Sequence, residues 1–127
     1  MHIHGIGTDI INITRIKKLL KKKTLVNRLF NLAEIEKCSK LAEKAGCYAK
    51  RFAAKEAFAK ALGTGISQGI NFNEITVSNI KSGKPNIILF GNTKKHVNKI
   101  LKKKKYNIFL SLSDDKPFAV ATVIISL

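Results

Sequence analysis

Glu56 and Lys60 stand four residues apart in a run, Tyr48 to Leu62, that is rich in Ala and Lys and free of Pro and Gly. Such a run predicts a helix, and on a helix the two side chains share one face with Phe52, while Arg51, Phe58 and Leu62 lie on another. On spacing alone the plainer reading is a surface ion pair worth about 0.3–0.5 kcal/mol. Two neighbouring features widen the possibilities. The helix is followed by Gly63-Thr64-Gly65-Ile66-Ser67-Gln68-Gly69, which must be a loop. Glycines allow backbone N–H groups to turn inward on a phosphate, with Lys60 one turn before them. The helix dipole opposes an anion at that end, so a phosphate there needs both loop N–H groups and lysines; the plainer role of Gly63 is a C-cap. The second feature is Asp9, which follows Gly5-Ile6-Gly7-Thr8. The third glycine of a dinucleotide fingerprint is absent, with Ile10 in its place. An Asp at a strand end commonly caps the next helix. Brought beside a Glu by folding, it would form a sparse oxygen site of the kind Mg²⁺ takes, completed by water and substrate phosphates. His2 and His4 share a strand face and read as ordinary strand histidines rather than metal ligands; His96 reads as a helix-surface residue.

The elements that must position these groups follow from periodicity. Residues 2–10 predict a strand around Ile3, Ile6 and Ile10, ending at a Gly-rich bend. Asn12 caps a helix whose inner stripe is Ile13, Ile16 and Leu20. Arg15, Lys18, Leu19 and Lys22 then fall on its opposite side, a basic face holding one Leu. Asn31 caps a second helix, from about Leu32 to Lys44 and closed by Gly46. Beyond Phe72 the pattern turns to strands at 75–80 and 86–90 about the Ser82–Pro85 turn. A helix over 92–105 and strands at 108–113 and 118–125 complete the chain. The last strand is apolar almost throughout and should be buried on both faces, by this chain or by another subunit. The expected fold is α+β, with helices in the first half packed on an antiparallel-type sheet.

The chain of 127 residues suits a single domain spanning 1–127. Apolar and charged fractions of 45% and 25% are those of ordinary globular proteins. Cys38 and Cys47 form no CxxC and are expected to be reduced, inert thiols, which suits a reducing compartment. No signal peptide or membrane span is visible, so a cytoplasmic location is expected. The formal net charge is +16. A general lysine bias accounts for part of it, and acidic partners are favoured by it: nucleic acid, anionic lipid, phosphate ligands or an acidic protein.

Gly5-Ile6-Gly7-Thr8-Asp9-Ile10 is similar to the first motif of the phosphopantetheinyl transferases. The run Arg51 to Ile66, with its Lys55-Glu56 and Lys60 core, resembles the second, and this motif is long and specific. Gly83-Lys84-Pro85 and the Ala-containing final strand look like the small carrier-protein synthases of that family. The resemblance spans nearly the whole chain in order. It implies transfer of 4′-phosphopantetheine from coenzyme A to a serine of apo acyl carrier protein, with release of adenosine 3′,5′-bisphosphate, in support of fatty acid biosynthesis. It further implies Mg²⁺ held by Asp9 and Glu56, with Lys60 near the reacting phosphates. Glu56, directly or through a water, would accept the serine proton. Lys60, Gly63, Thr64, Gly65 and Pro85 match positions near coenzyme A. Arg15, Lys18, Leu19 and Lys22 match the surface that docks the acidic carrier protein, and a homotrimer with sites between subunits is implied. Some relatives carry His where this chain has Asp114, so Asp114 stays outside the expected site. The alternatives are a basic nucleic-acid-binding domain and a non-catalytic subunit. Basic residues spread over every helix, with no aromatic-studded binding motif, argue against the first. The presence of Asp9, Glu56 and Lys60 together argues against the second. Neither a membrane nor a nucleic acid is expected as partner.

Overall fold

The computed structural model describes residues 2–63, 69–102 and 105–127. The elements are β1 (Ile3–Asn12), α1 (Ile13–Leu19), α2 (Lys23–Leu29), α3 (Leu32–Ser39), α4 (Lys44–Leu62), a 3₁₀ turn (Phe72–Glu74), β2 (Ile75–Asn79), β3 (Pro85–Leu89), α5 (Gly91–Leu101), β4 (Asn107–Asp115) and β5 (Phe118–Ser126). The strands form an antiparallel three-stranded sheet in the order β1-β5-β4 and a separate β2-β3 hairpin. The fold is α+β, as expected, with four of its helices ahead of β2. Among the described residues no helix is long and apolar enough to cross a membrane.

α4 is the central element. Its alanines at 45, 49, 53, 54, 57, 59 and 61 are all buried, as are Tyr48, Phe58 and Leu62. A helix buried nearly all round must have small residues where its neighbours come close. Those neighbours are β1 and β5, which offer Gly5, Gly7, Ala119 and Ala121 on their inner faces. A Cβ at Gly5 would sit on the carbonyl oxygen of Ala61, and one at Gly7 on that of Ala57. The two glycines therefore mark a backbone-to-backbone contact, and β1, after a register shift between Ile3 and Gly5, continues through them to Asn12. The expected end at residue 10 is corrected accordingly.

Two expected caps are present. The Asn12 side chain accepts from the Thr14 N–H at 2.9 Å. Asn31 and Glu34 form a reciprocal capping box, each side chain accepting from the other's backbone N–H at 3.2 Å. The helix that follows stops at Ser39, however, and Gly46 lies within the first turn of α4 rather than closing α3. This break corrects a further expectation. The reversal between α3 and α4 brings the Cα atoms of Cys38 and Cys47 to 5.5 Å, and the two residues form a disulfide rather than free thiols.

A buried polar node ties the helices to the hairpin. Lys55, fully buried, donates to Glu34 Oε1 at 2.6 Å, the Leu29 carbonyl at 2.7 Å and the Phe72 carbonyl at 2.8 Å. Glu34 also accepts from the Val77 N–H at 3.0 Å. Three acceptors use all three ammonium hydrogens. Burial pushes the Lys55 pKa down to about 8, opposed by the Glu34 carboxylate, so the side chain remains an ammonium at neutral pH.

The outer face of the three-stranded sheet is open. Ile6 and Ile10 are 64% and 60% exposed, and Phe109 and Phe118 also face solvent. Across the strands Ile6 pairs with Ile124, Ile10 with Val120, and Phe109 with Ile124. β5 is thus buried on one face within this chain, and its residues Val120, Thr122 and Ile124 are only half-buried on the other.

Candidate active site

Residues 5, 7, 9 and 11 of β1 share the face that meets α4, because side chains alternate along a strand. Gly5 and Gly7 let the helix approach, and Asp9 is the next residue on that face. On α4, Glu56 and Lys60 occupy the stripe that emerges beside it. Lys60 Nζ lies 3.1 Å from Asp9 Oδ1 and donates to the Thr8 carbonyl at 2.9 Å. The Glu56 carboxyl is held above the usual carboxylate range, first by burial and then by the negative charge of Asp9; Lys60 and Arg15 pull it back. Asp9, Lys60 and Arg15 therefore all act electrostatically on Glu56. The sequence expectation that Asp9 and the second motif converge agrees with this geometry.

The donor set suits a hard cation. It consists of two carboxylates, with no His or Cys; among the described residues no cluster of three metal-ligating side chains exists. Two carboxylates leave room for water and phosphate oxygens, the coordination Mg²⁺ prefers. Burial is the larger cause of the rise at Glu56, and the Asp9 charge that adds to it is what a bound cation would offset.

Other expected site residues are placed as follows. Gly63 has φ of 93° and caps α4, its N–H donating to the Ala59 and Lys60 carbonyls. The plainer reading of Gly63 is thus correct. Thr64 and Gly65 lie outside the described residues. Pro85 opens β3 opposite Asn79, on the hairpin rather than beside Asp9. Arg15 and Lys18 are exposed on α1. Leu19 packs partly against the core, and Lys22 lies beyond α1, at the N-terminus of α2. The single basic face expected for one helix is therefore corrected to a rim shared by α1 and the start of α2. His4 Nε2 is 3.1 Å from the Leu62 carbonyl, and His96 packs over Gly69. Asp114 lies 4.0 Å from Lys50 across half-exposed surface.

Sequence reasoning missed two things here. Lys55, adjacent to Glu56 in the motif, points into the core and serves the fold. Phe52, one turn before Glu56, stacks edge-on against Phe72 with ring centroids 6.1 Å apart, which connects the site's helix to the 3₁₀ turn. A wide cleft of about 1070 Å³ opens beside that turn, lined by Phe30, Asn31, Ile70, Phe72, Glu74 and Phe90 among others. Its carboxylate, Glu74, is engaged by Asn71 and by Asn92 and Thr93 at the start of α5.

The chain belongs to the 4′-phosphopantetheinyl transferase superfamily, whose family model matches residues 5–123. Within that superfamily it is similar to the holo-[acyl-carrier-protein] synthases. It is 47% identical over 125 residues to the one from Pelagibacter ubique, covering 98% of each chain. Its fold matches the crystal structure of the Neisseria meningitidis synthase with a TM-score of 0.88, at 33% identity, covering 98% of this chain and 99% of that one. It also matches the Bacillus anthracis synthase, solved in complex with CoA (3′,5′-ADP), with a TM-score of 0.81 at 35% identity, covering 99% and 98%.

Proposed function

We propose that this chain is a holo-[acyl-carrier-protein] synthase, active in the cytoplasm in support of fatty acid biosynthesis, with residues 1–127 as its single domain. The observation that carries the reading is the meeting of Asp9, Glu56 and Lys60 where β1 crosses α4. The serine hydroxyl of apo acyl carrier protein attacks the coenzyme A phosphorus that bears pantetheine. The new bond is serine oxygen to phosphorus, and the bond broken is that phosphorus to the bridging oxygen. Adenosine 3′,5′-bisphosphate leaves with that oxygen. The serine proton passes to a water held beside Glu56, since a carboxylate that also holds a cation is a poor base. Lys60 offsets charge on the phosphate oxygens, and Gly63, Thr64, Gly65 and Pro85 are assigned to coenzyme A by the resemblance of their motifs. Asp9 and Glu56 would hold Mg²⁺, which, when bound, supplies positive charge to the pyrophosphate.

Arg15, Lys18, Leu19 and Lys22 form the docking rim for the acidic carrier protein. Positive charge beside the site steers such a partner and positions its serine. The open apolar sheet face supports a homotrimer with sites between subunits: a face carrying Ile6, Ile10, Phe109 and Phe118 is larger than isolated exposed residues explain.

The direct test is mass spectrometry of purified apo carrier protein after incubation with this protein, coenzyme A and Mg²⁺. A mass gain of one phosphopantetheine, lost in excess chelator, is the expected result. An unchanged carrier protein under conditions where coenzyme A binds would refute the assignment. Arg15→Glu with Lys22→Glu should raise the KM for carrier protein and leave coenzyme A binding nearly unchanged; an equal loss for both substrates would move the docking surface elsewhere.

A further inference from the structure

Lys60 occupies the place of a cation. Its ammonium bridges the Asp9 carboxylate, at 3.1 Å, and the Thr8 carbonyl, at 2.9 Å. Both partners are oxygens of the same strand, and one is charged. The two ends of this pair differ in freedom. The Asp9 side chain is 16% exposed on a strand held between β5 and α4, whereas the Lys60 side chain is 53% exposed on a flexible four-carbon stem. Asp9 is the fixed member and Lys60 the one that can leave.

We propose that Lys60 is a resident counter-ion of Asp9, displaced when a divalent cation binds, and that displacement frees its ammonium for the substrate phosphate. This inference rests on the reading of Asp9 and Glu56 as the metal-holding pair. It gives Lys60 two successive partners, and it makes metal entry and lysine release one event. A lysine that served only the phosphate would not compete with the metal. A lysine that must be displaced does compete, so removing its charge tightens metal binding. Coenzyme A should also assist the metal by drawing Lys60 off Asp9, and by linkage the metal assists coenzyme A to the same degree.

The test is isothermal titration of the metal-stripped full chain with Mg²⁺, with and without coenzyme A, for the parent, Lys60→Met and Lys60→Gln. Circular dichroism checks that each variant is folded, which the exposure of Lys60 favours. Without coenzyme A, both variants should bind Mg²⁺ about three- to tenfold more tightly than the parent, the range expected for losing a partly exposed ion pair and a nearby like charge. The tightening brought by coenzyme A should be smaller in the variants than in the parent. Binding first detectable in the variants also supports the exchange. Equal or weaker Mg²⁺ binding by both variants, or none by any protein without coenzyme A, overturns it. Asp9→Asn titrated with coenzyme A present separates the two levels. If it binds Mg²⁺ as the parent does, the metal reading falls and the exchange with it. If it loses Mg²⁺ while the Lys60 variants gain nothing, the exchange alone falls.

Discussion

Glu56 and Lys55 are neighbours in sequence with opposite duties, because successive residues on a helix point about 100° apart. Glu56 faces Asp9, and its ionised form is disfavoured in the metal-free protein. Its folded pKa lies above the unfolded one, so the penalty is present at neutral pH and fades as pH falls through the folded pKa. We expect Glu56→Gln to melt no lower than the parent in excess chelator at pH 7, and to lose nearly all transferase activity when assayed with Mg²⁺. Any advantage in melting temperature should vanish on acidification; a variant less stable than the parent at pH 7 would contradict the assignment of strain to Glu56. Lys55 behaves in the opposite way. Lys55→Met strands the Glu34 carboxylate in the core, and breaking a buried pair costs about 3–5 kcal/mol. Urea denaturation should show that loss, and a change below about 1 kcal/mol would mean that water reaches Glu34. The sequence presents both residues as one motif. Nothing in it separates them, since the pairing of Lys55 with Glu34 spans 21 residues and depends on three elements packing at once.

Among elements, legibility followed the local signals. α1 and α3 were readable because Asn12 and Asn31 carry their caps within a few residues. α2 was not, since Lys22 provides no side-chain cap and the helix is only seven residues long. Gly46 misled because it resembles a helix stop, yet it lies in a turn of α4 where a Cβ would meet nothing within 4 Å. Gly5 and Gly7 misled in the other direction, since a close approach and a bend leave the same letters. The candidate site was legible through its motifs, whereas the reason Asp9 reaches Glu56 and Lys60 lies in the Gly–Ala contact between β1 and α4. Gly7→Ala tests that contact. Its new methyl falls on the Ala57 carbonyl oxygen, so the strand must lift from the helix. A loss of about 3 kcal/mol or more is expected, together with loss of activity; full activity at unchanged melting temperature would show that β1 can shift at no cost.

For the whole molecule, the outer face of the β1-β5-β4 sheet is the main unpartnered feature. Ile10 stands there with Ile6 and Val120, away from α4. Ile10→Lys adds a charge that a lone chain tolerates and an apolar interface does not. Light scattering should show the parent as trimer and the variant as monomer with an unchanged circular dichroism spectrum. A parent that is monomeric and fully active at assay concentration would count decisively against a shared site. β5 was expected to be buried on both faces by this chain or by another subunit; this chain buries one face and leaves Val120, Thr122 and Ile124 half-buried on the other.

Among the described residues the strand that carries Asp9 has one sheet partner, β5, which sets Ala121 opposite Asp9. β1 pairs with β5 from Ile3↔Ser126 to Asn12↔Phe118, and His2 and Leu127 exchange backbone hydrogen bonds. α4 can form from local contacts, whereas the position of Asp9 depends on this pairing of segments far apart in sequence. The half of the site that carries Asp9 is therefore the half that any loosening of β5 would disturb first.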